Sequence, residues 1–261
     1  MSGPLISIVS ITYQNLDGLK ETVESVVAQS FQDFEHIVVD GGSTDGTKEW
    51  LEANFHGSWV SEKDNGRYDG MNKGAASATG EYLWFLHAGD VFGDPTVLAR
   101  VARAIQDRKG GPPDWLYGLA RVVDPNKSLV GTLGYAPFTM FNFAILQRPL
   151  PHQATAITRS LFWQLGGYDE RFPVAADQVL LMGAANHSQP LAMADFLCDF
   201  DSTGISANRP WLQNLKDDRA VLGQLERPVT RSRALDVLLT FAYSATRHLA
   251  RSARNRTVRS R

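Results

Sequence analysis

The chain has 261 residues, 43% hydrophobic and 21% charged, which is the make-up of a folded globular protein and enough for one large domain or two small ones. Its single cysteine, Cys198, excludes an internal disulfide and a cysteine-built zinc site; between Leu197 and Asp199 it reads as a small buried apolar residue, not a nucleophile. The net charge of −2 conceals two unlike parts: residues 227–261 carry nine arginines, no lysine and one acid (+8), against 17 basic and 27 acidic groups (−10) in the remainder.

The first residues, MSGPLISIVSITY, lack a basic leader and read as a strand, not a signal peptide. No run approaches the ~18 apolar residues of a membrane span, so the expectation is a cytoplasmic protein. In chain order, residues 7–12 form a short β-branched strand ending in polar Tyr13-Gln14-Asn15, and 18–29 a helix with Leu19, Val23, Val26 and Val27 on one face. Residues 34–39 are a near-continuous apolar run, as a parallel strand covered on both sides requires. A helix follows over 44–55, with Ser43, Thr44 or Asp45 as its N-cap. Residues 56–61 read as strand, 68–79 as helix, 82–86 as strand and 95–107 as a strongly periodic helix. Strands alternating with helices predict an α/β fold with a doubly wound, mostly parallel sheet. After Gly110-Gly111-Pro112-Pro113 the rhythm changes: one or two strands over 114–123, an irregular aromatic stretch over 131–143, a short helix over 160–165, a helix over 175–186 and a strand over 191–198.

Chemistry concentrates between residues 37 and 90, in IVVDGGSTDGT, SEKDNGRYDGMNKG and GEYLWFLHAGD. Asp40 stands where a buried strand meets a glycine turn. Its carboxylate can accept from a nucleobase N–H, with Gly41 and Gly42 allowing close backbone approach; an ordinary Asp-Gly turn is the alternative. Asp69, Asn72 and Lys73 lie in the first turn or so of the next helix, where a diphosphate is well placed and where a solvated cap is the plainer reading. Asp90 ends the second apolar run, and carboxylates at strand ends suit the ligand crevice of an open α/β sheet. Beside phosphates, such a group is a candidate ligand for Mg2+ or Mn2+.

Taken together, SIVSITYQN, VVDGGSTDGT, YDGMNKG and FLHAGD resemble the family 2 inverting glycosyltransferases of GT-A fold, most nearly bacterial enzymes of envelope and exopolysaccharide assembly of the colanic-acid type. The resemblance covers roughly residues 5–200. It implies that Thr12, Tyr13, Asp40, Gly42 and Ser43 line a nucleoside pocket and that Asp64, Tyr68, Asp69, Asn72 and Lys73 face the ribose and diphosphate of a nucleoside-diphosphate sugar. It further implies that Asp90 holds the metal. The segment PHQATAITRSLFWQLGGYDERFPVAADQVLL is similar to the family's acceptor segment, so Asp177 would be the catalytic base, and His152 would touch the leaving diphosphate. An inverting transfer needs such a carboxylate to take the acceptor's hydroxyl proton. The family's metal motif carries two or three acids, whereas His87-Ala88-Gly89-Asp90 keeps one; His87 is a substitute ligand or a hydrogen-bonded neighbour. Asp177 can also be a plain helix N-cap.

These readings divide the chain into a transferase domain over 1–225, with a nucleotide-sugar half (1–110) and an acceptor half (111–225), and a basic tail over 226–261. The tail predicts an amphipathic helix over 234–251, with Leu235, Leu238, Leu239, Ala242 and Leu249 on one side and Arg247, His248 and Arg251 adding charge. It either lies on an anionic membrane surface or closes the domain core. No aromatic-basic reader motif accompanies it, so nucleic acid is not an expected partner. The expected acceptor is a lipid-linked or envelope glycan. A catalytically silent nucleotide-sugar binder is the alternative function, and a nucleotidyltransferase would want a Gly-rich basic loop that residues 13–20 lack.

Overall fold

Four strands are laid down in parallel from the N-terminal half of the chain: β1 (Ile6–Thr12), β2 (Phe34–Asp40), β3 (Ser58–Ser61) and β4 (Tyr82–Phe85), side by side as β3-β2-β1-β4. The structure is a computed structural model. It describes residues 3–201 and 211–259, with side chains as far as residue 246 apart from 201, 211, 212, 214 and 215. β1 is buried at every position but the half-buried Ile11, and β2 from His36 onward, as helices on both faces demand. Alternate residues of β1 feed two clusters: Ile6 and Ile8 join Trp84, Leu98, Val101 and Leu197, while Val9 joins Met71, Phe85, Phe162 and Tyr168.

The connecting helices are α1 (Leu16–Val27), α2 (Thr47–Asn54) and α3 (Arg67–Ser77). α1 starts where the Asn15 side chain accepts from Gly18 N and buries Leu19, Thr22, Val23 and Val26 along one stripe. α2 starts later than expected: Gly46 is left-handed at its N-cap, and Asp45 accepts from Thr47 N, Thr47 Oγ1 and Leu16 N, tying α2 to α1. α3 rests its backbone directly on β1, for a Cβ at Gly74 would lie 2.3 Å from Val9 Cγ1.

Beyond β4 the sheet becomes mixed, where the helix–strand alternation predicts more parallel strands. β8 (Thr155–Thr158) runs antiparallel to β4, β6 (Trp115–Val123) antiparallel to β8, and β9 (Leu191–Asp201) parallel to β6. Two short strands, β5 (Val91–Phe92) against β9 and β7 (Leu129–Leu133) against β6, bring the sheet to nine strands among the described residues. An antiparallel neighbour needs no crossover helix, so β8 enters from a π-helical turn (Phe141–Ile145) and a 3-10 turn (His152–Ala154). The remaining helices are α4 (Val97–Gln106), α5 (Arg159–Gln164), α6 (Ala176–His187), α7 (Trp211–Gly223) and α8 (Arg233–Arg259). Cys198 is buried opposite Phe92, the packing role its neighbours in sequence suggest.

α8 is longer than the expected 234–251 and sits the other way round from an ordinary surface helix. Asp236, Thr240 and Ser244 are buried, Leu239 packs on the core, and Leu235, Leu238 and Phe241 are 41–62% exposed. Asp236 fixes this orientation by accepting from Val229 N and from Thr230 N and Oγ1. Arg247, His248, Leu249 and Arg251 lie outside the described side chains.

Because Val9 is fully buried and cannot yield, Gly74→Ala is expected to cost about 1–3 kcal/mol in urea unfolding. An unchanged midpoint would show that α3 can lift from the sheet.

Candidate active site

The carboxyl ends of β1, β2 and β4 meet at one edge, where open α/β sheets bind ligands. At the end of β2, Asp40 is fully buried, and its carboxylate accepts from Ser43 N, Ser43 Oγ and Ser61 Oγ. Ser43 Oγ in turn accepts from Gln14 N at 2.8 Å, Gly41 N donates to Thr12 O, and Gly42 takes a left-handed φ of 82°. Asp40, expected at the nucleobase, is therefore the hub of the turn, because its own chain supplies its donors. Thr12 is likewise nearly buried, with its hydroxyl toward Asn15 O. Gly41 is buried and closely covered: a Cβ there would meet Asp64 Oδ2 at 2.8 Å and Tyr13 Cδ2 at 3.4 Å. The exposed Tyr13 ring and the half-buried Asp64 carboxylate thus close over the turn backbone, and the surface they offer is their own.

On the α3 side, Asp64 Oδ1 accepts from Gly66 N and Asp69 Oδ2 from Asn65 N, which shapes the loop entering the helix. Lys73 lies 2.8 Å from Glu62 and 3.3 Å from Asp69, and the Glu62 contact, ahead of the smaller effect of burial, leaves its ammonium pKa raised. Asn72 departs from expectation. Its amide donates to Tyr168 O and accepts from Tyr168 N, so it clamps the Gly167-Tyr168 turn and does not face a diphosphate. Arg67, which the sequence reading passed over, opens α3 beside Gly66; its guanidinium is 5.9 Å from the Tyr68 ring, and its charge reaches His87.

Asp177, in the first turn of α6, is where the two halves of the sheet meet. The Tyr68 hydroxyl lies 2.9 Å from Val174 O and 3.2 Å from Asp177 Oδ1, so its one proton is shared between the two acceptors and the Tyr68 side chain, expected at the donor, reaches the start of α6 instead. His152 Nδ1 is 3.1 Å and Gln178 Nε2 3.0 Å from Oδ2. Since an ionised carboxylate only accepts, His152 carries its proton on Nδ1 and turns Nε2 toward His87 Nε2, 3.3 Å away. Burial pushes the Asp177 carboxyl up, but the hydrogen bond and charge of His152, with Gln178, hold it below the ordinary value. It is thus an ionised acceptor at neutral pH. Burial first, then the Asp177 charge, drives the Tyr68 phenol far up, so it remains a donor. Burial, then His152 and Arg67, push His87 well down, so this imidazole is neutral.

The loop of residues 87–90 is tied to α1. Ala88 N donates to Ile11 O and Asp90 N to His87 O, while buried Thr22 Oγ1 accepts from Gly89 N and sits within 2.9 Å of the His87 and Asp90 carbonyls. Thr22 was legible only as a polar residue on the apolar stripe of α1. Asp90 is buried, and its charge, after burial itself, helps raise the Cys198 thiol. Among the described residues no group of three or more His, Cys, Asp or Glu side chains forms a metal cage.

The family model described as glycosyl transferase family 2 matches residues 7–166, more than half of the chain. The chain belongs to that family. This nucleotide-sugar-dependent glycosyltransferase is 38% identical over 229 residues to an uncharacterized glycosyltransferase of Mycobacterium tuberculosis, covering 87% of this chain and 83% of the relative. It is 34% identical over 184 residues to a PGL/p-HBAD biosynthesis glycosyltransferase of the same organism, covering 68% of each. Its fold is similar to that of S. aureus TarS 1-349 in complex with UDP-GlcNAc, with a TM-score of 0.70 at 19% identity over 92% of this chain and 71% of that one. The chain spans about a third (36%) of a longer TarS structure. A mannosyltransferase from Pyrobaculum calidifontis in complex with GDP-Man and Mn2+ matches with a TM-score of 0.55 at 16% identity over 95% of this chain and 76% of that one. The GT-A-like α/β architecture expected from the sequence is the one found.

Removing the Tyr68 hydroxyl takes a shared hydrogen bond from the ionised form of Asp177, so Tyr68→Phe is expected to raise that pKa. Because the proton is shared with Val174 O, less than a full charge-assisted bond is lost, and if Asp177 is the base the acid limb of the transfer rate is expected to move up by less than about one pH unit. A pH–rate profile unchanged on its acid side would remove Tyr68 from this role.

Proposed function

We propose that the protein is an inverting glycosyltransferase that moves one sugar from a nucleoside diphosphate to a hydroxyl of a lipid-linked or envelope glycan, with Asp177 as catalytic base. The observation that carries this is an ionised carboxylate in a protected setting, aimed by Tyr68, His152 and Gln178 at the sheet edge where the donor strands end. In the step, the acceptor oxygen gives its proton to Asp177 and bonds to the anomeric carbon from the face opposite the leaving group. The carbon–oxygen bond to the diphosphate breaks, its electron pair remains on the phosphate oxygen, and the configuration inverts.

The nucleoside site of this reading lies against the exposed Tyr13 ring and Asp64, with Thr12, Asp40, Gly42 and Ser43 shaping the turn behind it. The diphosphate fits the start of α3, where Arg67 adds a cation and Asp69 and Lys73 brace the entry. Mg2+ or Mn2+ held by Asp90 and the diphosphate would offset charge developing on the leaving group. The envelope direction is supported by the PGL/p-HBAD biosynthesis relative.

We assign residues 1–225 to catalysis and 226–261 to attachment at the inner membrane face. No helix among the described residues is long and apolar enough to cross a membrane. The reading is supported by α8, which turns Leu235, Leu238 and Phe241 outward and continues into a segment holding six of the tail's nine arginines. The single carboxylate of the 87–90 loop favours a second reading, a catalytically silent nucleotide-sugar binder.

Transfer from UDP-glucose, UDP-GlcNAc, GDP-mannose and dTDP-rhamnose to membrane lipid extract distinguishes the two. With the active donor, Asp177→Asn is expected to lose about a thousandfold in rate while nucleotide affinity stays within about threefold. Equal loss of both would reject Asp177 as base, and binding without turnover in the wild type would select the silent reading. For the tail, Leu238→Asp with Phe241→Asp is expected to abolish co-flotation with phosphatidylglycerol vesicles; undiminished flotation would contradict membrane attachment.

A further inference from the structure

We propose that Arg148 binds the acceptor, taking an anionic group of phosphate-ester class that joins the acceptor's apolar part to its sugar. This rests on the acceptor and base readings above and names the residue and the chemistry that select the acceptor.

The charge pattern along the chain is the first support. Between Asp124 and Asp169 the sequence holds no Asp or Glu, in a chain that averages about one acid in nine residues. This stretch includes the segment that meets Asp177: it carries β7, the π-helical turn, the 3-10 turn with His152, β8 and α5. A surface without acids spares an anionic ligand the repulsion that an average surface would impose. Of its cations, Lys127 pairs with Glu21, and Arg159 donates to Gly80 O. Arg148 is exposed and has no acidic partner among the described residues.

Local backbone and an aromatic ring fix where this cation stands. The π-helical turn runs into Gln147, whose left-handed φ of 45° is uncommon for a residue with a side chain. Arg148 N then donates to Asn142 O. Such turns and backbone outliers occur often at functional sites. The Arg148 guanidinium lies over the buried Tyr135 ring, 4.6 Å from its centroid. A guanidinium held on a ring still offers N–H donors at its edge, in a fork that matches two phosphate oxygens. The Asp218 carboxylate of α7 is taken up by the amide of neighbouring Gln147.

Two short links tie Arg148 to the base. Leu150, two residues on and so within about 7 Å along the chain, exchanges hydrogen bonds of 3.1 and 2.9 Å with the Gln178 side chain. Gln178 Nε2 is in turn 3.0 Å from Asp177 Oδ2. In the other direction along the segment, the π-helical turn exposes Phe141 and packs against α8, whose Leu235, Leu238 and Phe241 face outward. Apolar side chains, a cation and a base thus follow one another, in the order of an amphiphile's alkyl chain, phosphate and sugar hydroxyl.

The test measures binding of the full chain, with and without UDP, to octyl phosphate, octyl glucuronide, octyl glucoside and inorganic phosphate, the amphiphiles kept below their micelle concentrations. Octyl phosphate is expected to bind most tightly. Its affinity is expected to fall about tenfold or more in Arg148→Gln and in Arg148→Glu, with partial recovery in Arg148→Lys. In transfer to membrane lipid extract, Arg148→Gln is expected to raise the acceptor KM and leave the donor KM unchanged. Equal octyl phosphate affinity in wild type and Arg148→Gln overturns the proposal, since the arginines of the tail would then account for binding. So does a preference for octyl glucuronide, which makes the anion a carboxylate, or for inorganic phosphate, which makes it a free ion. Octyl glucoside binding as tightly as octyl phosphate also overturns it. Asp177→Asn is expected to bind octyl phosphate as the wild type does, so failure of the base reading and failure of this site show in different variants.

Discussion

The structure turns on one carboxylate held ionised in a place from which water is largely excluded. A charge withdrawn from water costs several kcal/mol unless donors compensate it, and Asp177 draws its donors from distant parts of the chain. Tyr68 comes from the N-terminal half, His152 from the turn before β8, and Gln178 from the same helix. Gln178 also exchanges two hydrogen bonds with the backbone of Leu150, so the segment bearing His152 is tied to α6. If this carboxylate were displaced, the seam between the halves would lose much of its polar order. On the proposed reading, the base and the packing of the halves depend on the same hydrogen bonds.

A second constraint governs the donor side. Parallel strands place the ends of β1, β2 and β4 at one edge, and each following loop is fixed by polar contacts: Asp40 with Ser43 and Ser61, Asp45 with Thr47 and Leu16, Thr22 with the 87–90 loop. Preorganised loops of this kind bind a ligand without a large ordering cost. The antiparallel β8 then brings His152 beside His87, 65 residues away in sequence. Family membership gives the class of reaction. These contacts give it a particular site, in which imidazoles stand close to where the family resemblance implies carboxylates.

Much of this was legible in the sequence, for physical reasons. The β-branched runs of β1 and β2 and the apolar stripes of α1 and α4 are local signals, and the structure has them within a few residues of expectation. Short strands such as β5 and β7 were missed, because two or five residues cannot display a period. The antiparallel insertion was missed because strand pairing is decided by distant partners. Asp177 and His152 could be named from their motif. The motif could not show that Tyr68 and Asn72, only four residues apart on α3, reach across to the second half. Nor could it show that a buried Asp40 answers its own turn. Both depend on which way a side chain faces, and facing is set by tertiary packing.

The most direct test of the account is calorimetric titration of the purified chain with UDP, GDP and dTDP, each with and without Mn2+. One nucleotide binding at micromolar strength, and losing most of its affinity when Mn2+ is withheld, is the result that the proposed donor site predicts. Failure of all three nucleotides to bind under either condition would contradict it.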